Sequence, residues 1–447
     1  MSFHSLVSIA HTAGMSRPGR RGSRGGREAL RAASAGLALL LAAGCTQDSG
    51  PDDRRRGRAA TVELDQLVAL ADEPVHIRIS GLTAGTKTTV TTHATDHRGM
   101  AWSGRAVFTA DADGTVDLAR DTPRAGTYRG ADGMGLLWSM KPAEGDPDAT
   151  WFIPGAARTT AAYRVRLTVA SGGRALAERD LTRTWTSAGV RHKNLTVSTD
   201  KVRGSLFLPP AHGPRQAPVL LLGGSEGGLA DERAAALLAS RGHPALSLCY
   251  FGCRGRPENL DGIPLEYFAT AAQLLRDQPQ ADPRRLAVLG VSRGSEAAQM
   301  MAQYYPGLVH DAVAYLPSRD TWDAYHPGCL SCGQGRAAWS HHGKDLRLAP
   351  IPLDRVRGTV LAVGSGDDRL WPSLAAARSI GQQRNAAGRK HQALLYPKAG
   401  HAAAFYPYLP SAVQGGGRPL GGTRAADAHA KADSWPQVLR LLERTAP

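Results

Sequence analysis

The sequence predicts two folded units in tandem. The first is an all-β, immunoglobulin-like sandwich over residues 60–187. The second is an α/β unit over residues 190–447, a mostly parallel sheet with helices on both faces. Three observations predict this. Residues 60–187 alternate apolar and polar side chains, as in Val75-His-Ile-Arg-Ile79 and Tyr163-Arg-Val-Arg-Leu-Thr-Val169, with turn signals at Asp113-Gly114 and Ser171-Gly-Gly173. From residue 190 onward, short apolar runs alternate instead with helix-forming stretches, the pattern of buried parallel strands. With 447 residues, 42% of them hydrophobic, the chain has material for more than one core.

Within the second unit, strands are expected at 218–222, 244–249, 285–289, 311–316, 358–364 and 392–396. Helices are expected at 231–240, 265–276, 295–303, near 373 and over 435–443. Gly290-Val-Ser292-Arg-Gly294 sits directly between a strand and a helix. G-x-S-x-G in that place is the nucleophile elbow of α/β-hydrolases. The chain must reverse sharply at the serine, so the positions two before and two after it touch, and only small residues fit.

A second match, Gly223-Gly-Ser225-Glu-Gly227, also follows a strand and precedes a helix. Chain order decides between them. Hydrolases of this type present serine, then an acid, then histidine, each just past a strand end. After Ser292, the strand at 358–364 ends in Ser365-Gly-Asp367-Asp368, and the strand at 392–396 ends in Pro397-Lys-Ala-Gly400-His401. Ser292 is therefore the candidate nucleophile, His401 its base, and Asp367 or Asp368 the acid that orients the imidazole. The other aspartate is expected to cap the helix near Pro372-Ser373. The Ser225 loop falls where backbone N–H groups stabilise an oxyanion. Ser225, Glu226 and Arg293 are the candidate donors. His341 and His342 lie in a loop-like Trp-Ser-His-His-Gly and read as structural.

These residues carry a resemblance to the family of acyl-CoA thioester hydrolases and bile-acid-CoA:amino-acid N-acyltransferases. It rests on Gly223-Gly-Ser-Glu-Gly-Gly228, Pro257-Glu-Asn-Leu-Asp-Gly-Ile-Pro-Leu-Glu-Tyr-Phe268, Gly290-Val-Ser-Arg-Gly-Ser-Glu296, Gly366-Asp-Asp368 with Trp371, and Tyr396-Pro-Lys-Ala-Gly-His401. The leading half joins in through Asp72-Glu-Pro-Val-His-Ile-Arg-Ile-Ser-Gly-Leu82, Ala110 to Leu118 and Asp132 to Met140. The resemblance implies Asp368 as the triad acid. Serine at position 292, rather than cysteine, implies hydrolysis rather than transfer to an amino acid. Glu226 departs from the family, where a small residue is common.

The first 45 residues point to export. Six arginines between Arg17 and Arg31 precede an apolar stretch over 32–43, too short to span a bilayer, which ends in Leu41-Ala-Ala-Gly44-Cys45. That resembles a signal peptide with a lipobox, Cys45 being the lipidated residue, followed by a polar tether over 46–59. Cys249, Cys253, Cys329 and Cys332 allow three pairings, with Cys329–Cys332 a candidate disulfide of an exported protein. A zinc site would need more local ligands, so no metal is expected. No G-x-G-x-x-G opens a βαβ unit, so no cofactor is implied. Net charge is +15, yet no recognition motif accompanies it, which argues against nucleic acid as a partner.

The expected function is therefore a serine hydrolase that cleaves an acyl thioester or ester through an acyl-Ser292 intermediate, lipid-anchored to the outer face of the cell membrane. A misread leader would instead leave it cytoplasmic. Alternatives are an exported esterase, amidase or N-acyltransferase acting on a substrate without CoA, and a non-catalytic, envelope-anchored binding protein. Export and acyl-CoA pull apart, because acyl-CoA is chiefly an intracellular metabolite.

Overall fold

Eight strands of the second unit form one sheet in the computed structural model, which describes residues 59–155, 161–329 and 331–444. The leader, Cys45 and nearly all of the tether lie outside the described residues. The strands are β1 (Arg191–Leu195), β2 (Arg203–Leu208), β3 (Val219–Leu222), β4 (Ala245–Cys249), β5 (Ala287–Val291), β6 (Asp311–Tyr315), β7 (Val360–Ser365) and β8 (Gln392–Tyr396). Their spatial order is β1-β2-β4-β3-β5-β6-β7-β8. The β1–β2 and β2–β4 pairings are antiparallel, and every later pairing is parallel. Beside β3 the direction of strand addition reverses, and ligands bind at the carboxyl ends of strands at such a switch point.

Five helices pack on this sheet: α1 (Glu232–Ser240), α2 (Leu265–Arg276), α3 (Arg293–Tyr304), α4 (Ser373–Gln382) and α5 (Arg424–Glu443). Side chains alternate across a strand, so the central strands feed two cores. Leu221, Leu289, Val313 and Val363 join one cluster with Leu238 of α1 and Val438 of α5. Leu222, Val288, Ala314 and Ala362 join the other with Phe268 of α2, Met301 of α3 and Ile380 of α4. That is why β3 is buried at every residue. Asp231 starts α1, its carboxylate accepting the N–H of Arg233 at 2.8 Å and of Ala234 at 3.1 Å. The last helix begins eleven residues before the position that sequence periodicity suggests, at Arg424, where Thr423 accepts the Ala426 N–H.

The leading half holds a three-stranded sheet of Thr61–Leu64, Ile77–Ser80 and Val116–Asp117, and a larger one built on Lys87–Thr95, Ala101–Thr109, Ala162–Ser171 and Arg174–Thr184. Burial alternates along Lys87–Thr95 and Ala101–Thr109, as the sequence pattern requires. It is not purely β: a short helix, Gly135–Trp138, is fastened by Asp132, which accepts the Trp138 indole N–H at 2.7 Å.

One buried carboxylate ties the two halves together. Asp72 accepts the Trp435 indole N–H at 2.7 Å and lies 2.9 Å from the Arg241 guanidinium. Burial pushes its pKa up, against the pull of Arg241. Around it, Trp185, Tyr406 and Trp435 meet edge to face. Asp72→Ala removes the acceptor of the buried Trp435 indole N–H and leaves Arg241 with only Glu73, 3.5 Å away. It is expected to lower unfolding stability by about 3 kcal/mol, seen as an earlier denaturant midpoint. An unchanged midpoint would contradict the assignment of this contact as the tie.

Candidate active site

Ser292 sits between β5 and α3 with φ of 54° and ψ of −122°, a conformation that L-residues seldom adopt. The flanking glycines explain how the chain reaches it. A Cβ on Gly290 would lie 2.1 Å from the Gly294 carbonyl oxygen, and one on Gly294 would lie 2.3 Å from that of Gly223. Both positions must be bare, and the elbow is thereby wedged against the loop that follows β3. The Ser292 N–H is held by the Tyr315 carbonyl at 3.0 Å.

His401 reaches this serine from the loop after β8. Its Nε2 lies 3.0 Å from Ser292 Oγ, and its Nδ1 lies 2.9 and 2.8 Å from the two carboxylate oxygens of Asp368. The Asp368 side chain is 1% exposed and that of His401 9%, so this chain of hydrogen bonds is largely shielded from water. Asp368 is itself oriented: the Ser373 hydroxyl donates to it at 2.6 Å, and the N–H groups of Leu370 and Trp371 donate to its other oxygen. A hydroxyl beside an imidazole, steered by a buried carboxylate, is chemically equipped to lose its proton as it attacks a carbonyl.

The structure separates the two aspartates. Asp368 meets His401, whereas Asp367 pairs with Arg369 at 2.8 Å and accepts the Gly422 N–H at 3.0 Å. Asp367 does not cap α4; its side chain faces the loop around Gly421. Ser225 also parts company with Ser292. It has no positive φ, no helix starts at it, and no hydrogen bond joins it to His401 among the described residues. Its loop nevertheless abuts Ser292, since a Cβ on Gly224 would lie 3.1 Å from Ser292 Cβ and 3.5 Å from Oγ. Ser225 and Glu226 are therefore beside the elbow, as is Arg293, the first residue of α3. The Tyr250 hydroxyl pins the loop by donating to the Gly223 carbonyl at 2.7 Å.

Several supports are not evident from sequence. Glu296, buried one turn into α3, is 3.0 Å from the Arg293 guanidinium and accepts the Trp339 indole N–H at 2.7 Å. Burial pushes its carboxyl up while Arg293 pulls it down. Trp371 lies edge-on to His401, and Trp322 packs against Trp371 at a tilt of 39° with ring centroids 5.9 Å apart; Trp322 and Leu370 leave apolar surface open. His341 and His342 have ring centroids 4.1 Å apart at a tilt of 37°, and His341 lies beside Tyr304 and Tyr305. Cys329 and Cys332 are joined as a disulfide, and so are Cys249 and Cys253 at the end of β4. The local motif Cys-Leu-Ser-Cys signals the first pair; nothing comparable marks the second. A cavity of about 500 Å³ around Asn259, Asp261 and Arg336 includes none of Ser292, Asp368 and His401.

Asp427 on α5 accepts the Gly400 N–H at 2.7 Å and so fixes the loop that carries His401. Burial pushes its pKa up to about 6, against the pull of that N–H and of Lys431. The folded value exceeds the unfolded one, so the folded chain holds this proton more tightly. That contribution to stability is complete below the usual carboxylate pKa of about 3.9 and is lost as pH rises through about 6. Asp427→Asn keeps an acceptor for Gly400 and removes the titration. Melting temperatures of the two proteins are expected to diverge in the variant's favour between pH 4 and pH 7. A difference that does not change with pH would contradict this.

The family model "Acyl-CoA thioester hydrolase/BAAT N-terminal region" matches residues 72–197, and "BAAT / Acyl-CoA thioester hydrolase C terminal" matches residues 263–318 and 334–446. Acyl-coenzyme A thioesterase 6 of Mus musculus is 31% identical over 408 residues, spanning 83% of this chain and 93% of that protein. Acyl-coenzyme A thioesterase 2, mitochondrial, of Homo sapiens is 30% identical over 402 residues, spanning 83% and 81%. Among solved structures, a putative dienelactone hydrolase from Klebsiella pneumoniae aligns with a TM-score of 0.39 at 14% identity, covering 57% of this chain and 99% of that one.

Proposed function

The chain belongs to the acyl-CoA thioester hydrolase/BAAT family, and we propose that it is a serine hydrolase that cleaves an acyl thioester or ester through an acyl-Ser292 intermediate. The single observation that carries this reading is the unbroken hydrogen-bonded chain Ser292–His401–Asp368. His401 Nε2 takes the Ser292 proton as Oγ bonds to the carbonyl carbon. Asp368 holds Nδ1 and stabilises the imidazolium that forms. The developing oxyanion is met by the backbone N–H of Arg293 and by that of Ser225 or Glu226. His401 then protonates the departing thiolate or alkoxide, and water discharges the acyl group by the reverse path. The open faces of Trp322 and Leu370 suit an apolar acyl chain.

The location belongs to the same proposal. Cys45 is the lipidated first residue of the mature chain, and the enzyme faces outward on the cell membrane with the polar tether as its leash. Two disulfides favour an oxidising compartment. The substrate there is an acyl ester or thioester that need not carry CoA. The leading sheets are read as an immunoglobulin-like sandwich.

Ser292→Ala is expected to cut turnover of short-chain nitrophenyl esters and acyl thioesters on the order of a thousandfold or more. Equal turnover by both proteins would overturn the assignment. Growth with radiolabelled palmitate is expected to label the wild type and not Cys45→Ala. A full-length, unlabelled protein in the cytoplasm would refute the anchor and restore acyl-CoA as the leading substrate.

A further inference from the structure

Glu226 does not point away into solvent. Although the residue as a whole is exposed, its carboxylate folds back under its own loop. Oε1 accepts the Gly224 N–H at 2.8 Å. The carboxylate fills the room left by two bare glycines: a Cβ on Gly223 would meet Oε1 at 2.9 Å, and one on Gly224 would meet Oε2 at 2.7 Å. The same point on Gly224 lies 3.5 Å from Ser292 Oγ. Carboxylate and nucleophile thus flank one glycine. Gly227 and Gly228, with φ of 65° and 81°, let the chain turn back far enough for this.

Its electrostatic surroundings are unusual for a surface acid. Among the described residues no lysine or arginine pairs with it. The inward-turned carboxylate is pushed up by loss of water, and the charges that act on it are those of His401, which stabilises its ionised form, and Asp231, which opposes it. An acid held beside the nucleophile and the base, without a cation of its own, has acceptor capacity to spend on something that enters the site.

We propose that Glu226 orients the water that discharges the acyl-Ser292 intermediate. The proposal rests on Ser292 being the nucleophile. One O–H of the water donates to the Glu226 carboxylate. The other gives its proton to His401 Nε2 as the water oxygen bonds to the acyl carbon. The tetrahedral intermediate then collapses, the bond from carbon to Oγ breaks, and His401 returns the proton to Ser292 Oγ. The carboxylic acid leaves, and Glu226 neither gives nor takes a proton in the step. A negative charge on it would disfavour an adjacent oxyanion, and the imidazolium that forms within its reach at the same moment offsets this. The acid is thereby useful when the attacking group is a water that must be aimed, and dispensable when Ser292 itself attacks.

Pre-steady-state release of nitrophenol from a short-chain nitrophenyl ester separates the two steps. In Glu226→Gln the initial burst, which reports acylation, is expected within about twofold of wild type. The steady rate that follows, which reports discharge by water, is expected to fall on the order of tenfold or more. Hydroxylamine, a stronger nucleophile with less need of aiming, is expected to restore the steady rate of the variant. A steady rate equal to wild type would overturn the proposal, since the acid would then merely face solvent. A faster burst with an undiminished steady rate would also overturn it, since the carboxylate would then be an obstruction. Ser292→Ala run beside it keeps the two readings apart: a burst that survives in that variant refutes the nucleophile, not the role of Glu226 alone.

Discussion

The close approach of three backbone segments at Gly290, Gly294 and Gly223 is the constraint on which the site depends. These contacts leave no room for a Cβ, and they hold Ser292 at a positive φ. Such a conformation costs about 1–3 kcal/mol, so the surrounding sheet must over-determine it. It does: β3 and β5 are neighbours in the parallel sheet, and β3 is buried along its whole length. The same wedge sets the Gly223–Gly224 loop against Ser292, and the Tyr250 hydroxyl locks that loop. The elbow therefore positions the serine, the α3 N-terminus and the neighbouring loop amides at one stroke.

Around this wedge, four acids are held in four different ways. Asp368 is buried and fully engaged by His401, Ser373 and two backbone N–H groups. Glu296 is buried against Arg293 and two indole-bearing residues, and it keeps the start of α3 in place. Asp427 is buried against a backbone N–H and fixes the histidine loop from α5. Glu226 alone has no structural partner beyond its own loop. Three of these carboxylates hold neighbouring elements in place, and Glu226, beside the Ser292 turn, retains the capacity to meet a small molecule there. Because α5 also carries Trp435, which grips Asp72, the leading half is coupled through one helix to the loop that holds His401.

Much of this was legible in the sequence because it depends on local pattern. G-x-S-x-G after an apolar strand, and Asp368 and His401 just past later strand ends, are short-range signals. The order of strands and helices follows from runs that are apolar throughout. The ambiguous points are those that long-range contacts settle. Gly223-Gly-Ser225-Glu-Gly227 has the same local signature as the elbow, and only the contact of Gly294 with Gly223 makes one the turn and the other its wall. Asp367 and Asp368 are neighbours in sequence, and the side to which each points is set by the 366–373 turn. The polar stretch at the start of α5 has no apolar stripe to announce a helix. Its helicity comes from the Thr423 cap and from packing around buried Asp427 and Lys431. The inward fold of Glu226 needs two bare glycines before it and two positive-φ glycines after it, a combination with no recognisable period.

The most direct test of the central claim is peptide mapping by mass spectrometry after reaction with a fluorophosphonate, which phosphonylates an activated serine. The expected result is one adduct per chain, on the peptide that contains Ser292, and none in His401→Ala, where the serine has lost its base. An adduct on Ser225, or labelling of Ser292 that is indifferent to the loss of His401, would contradict the claim.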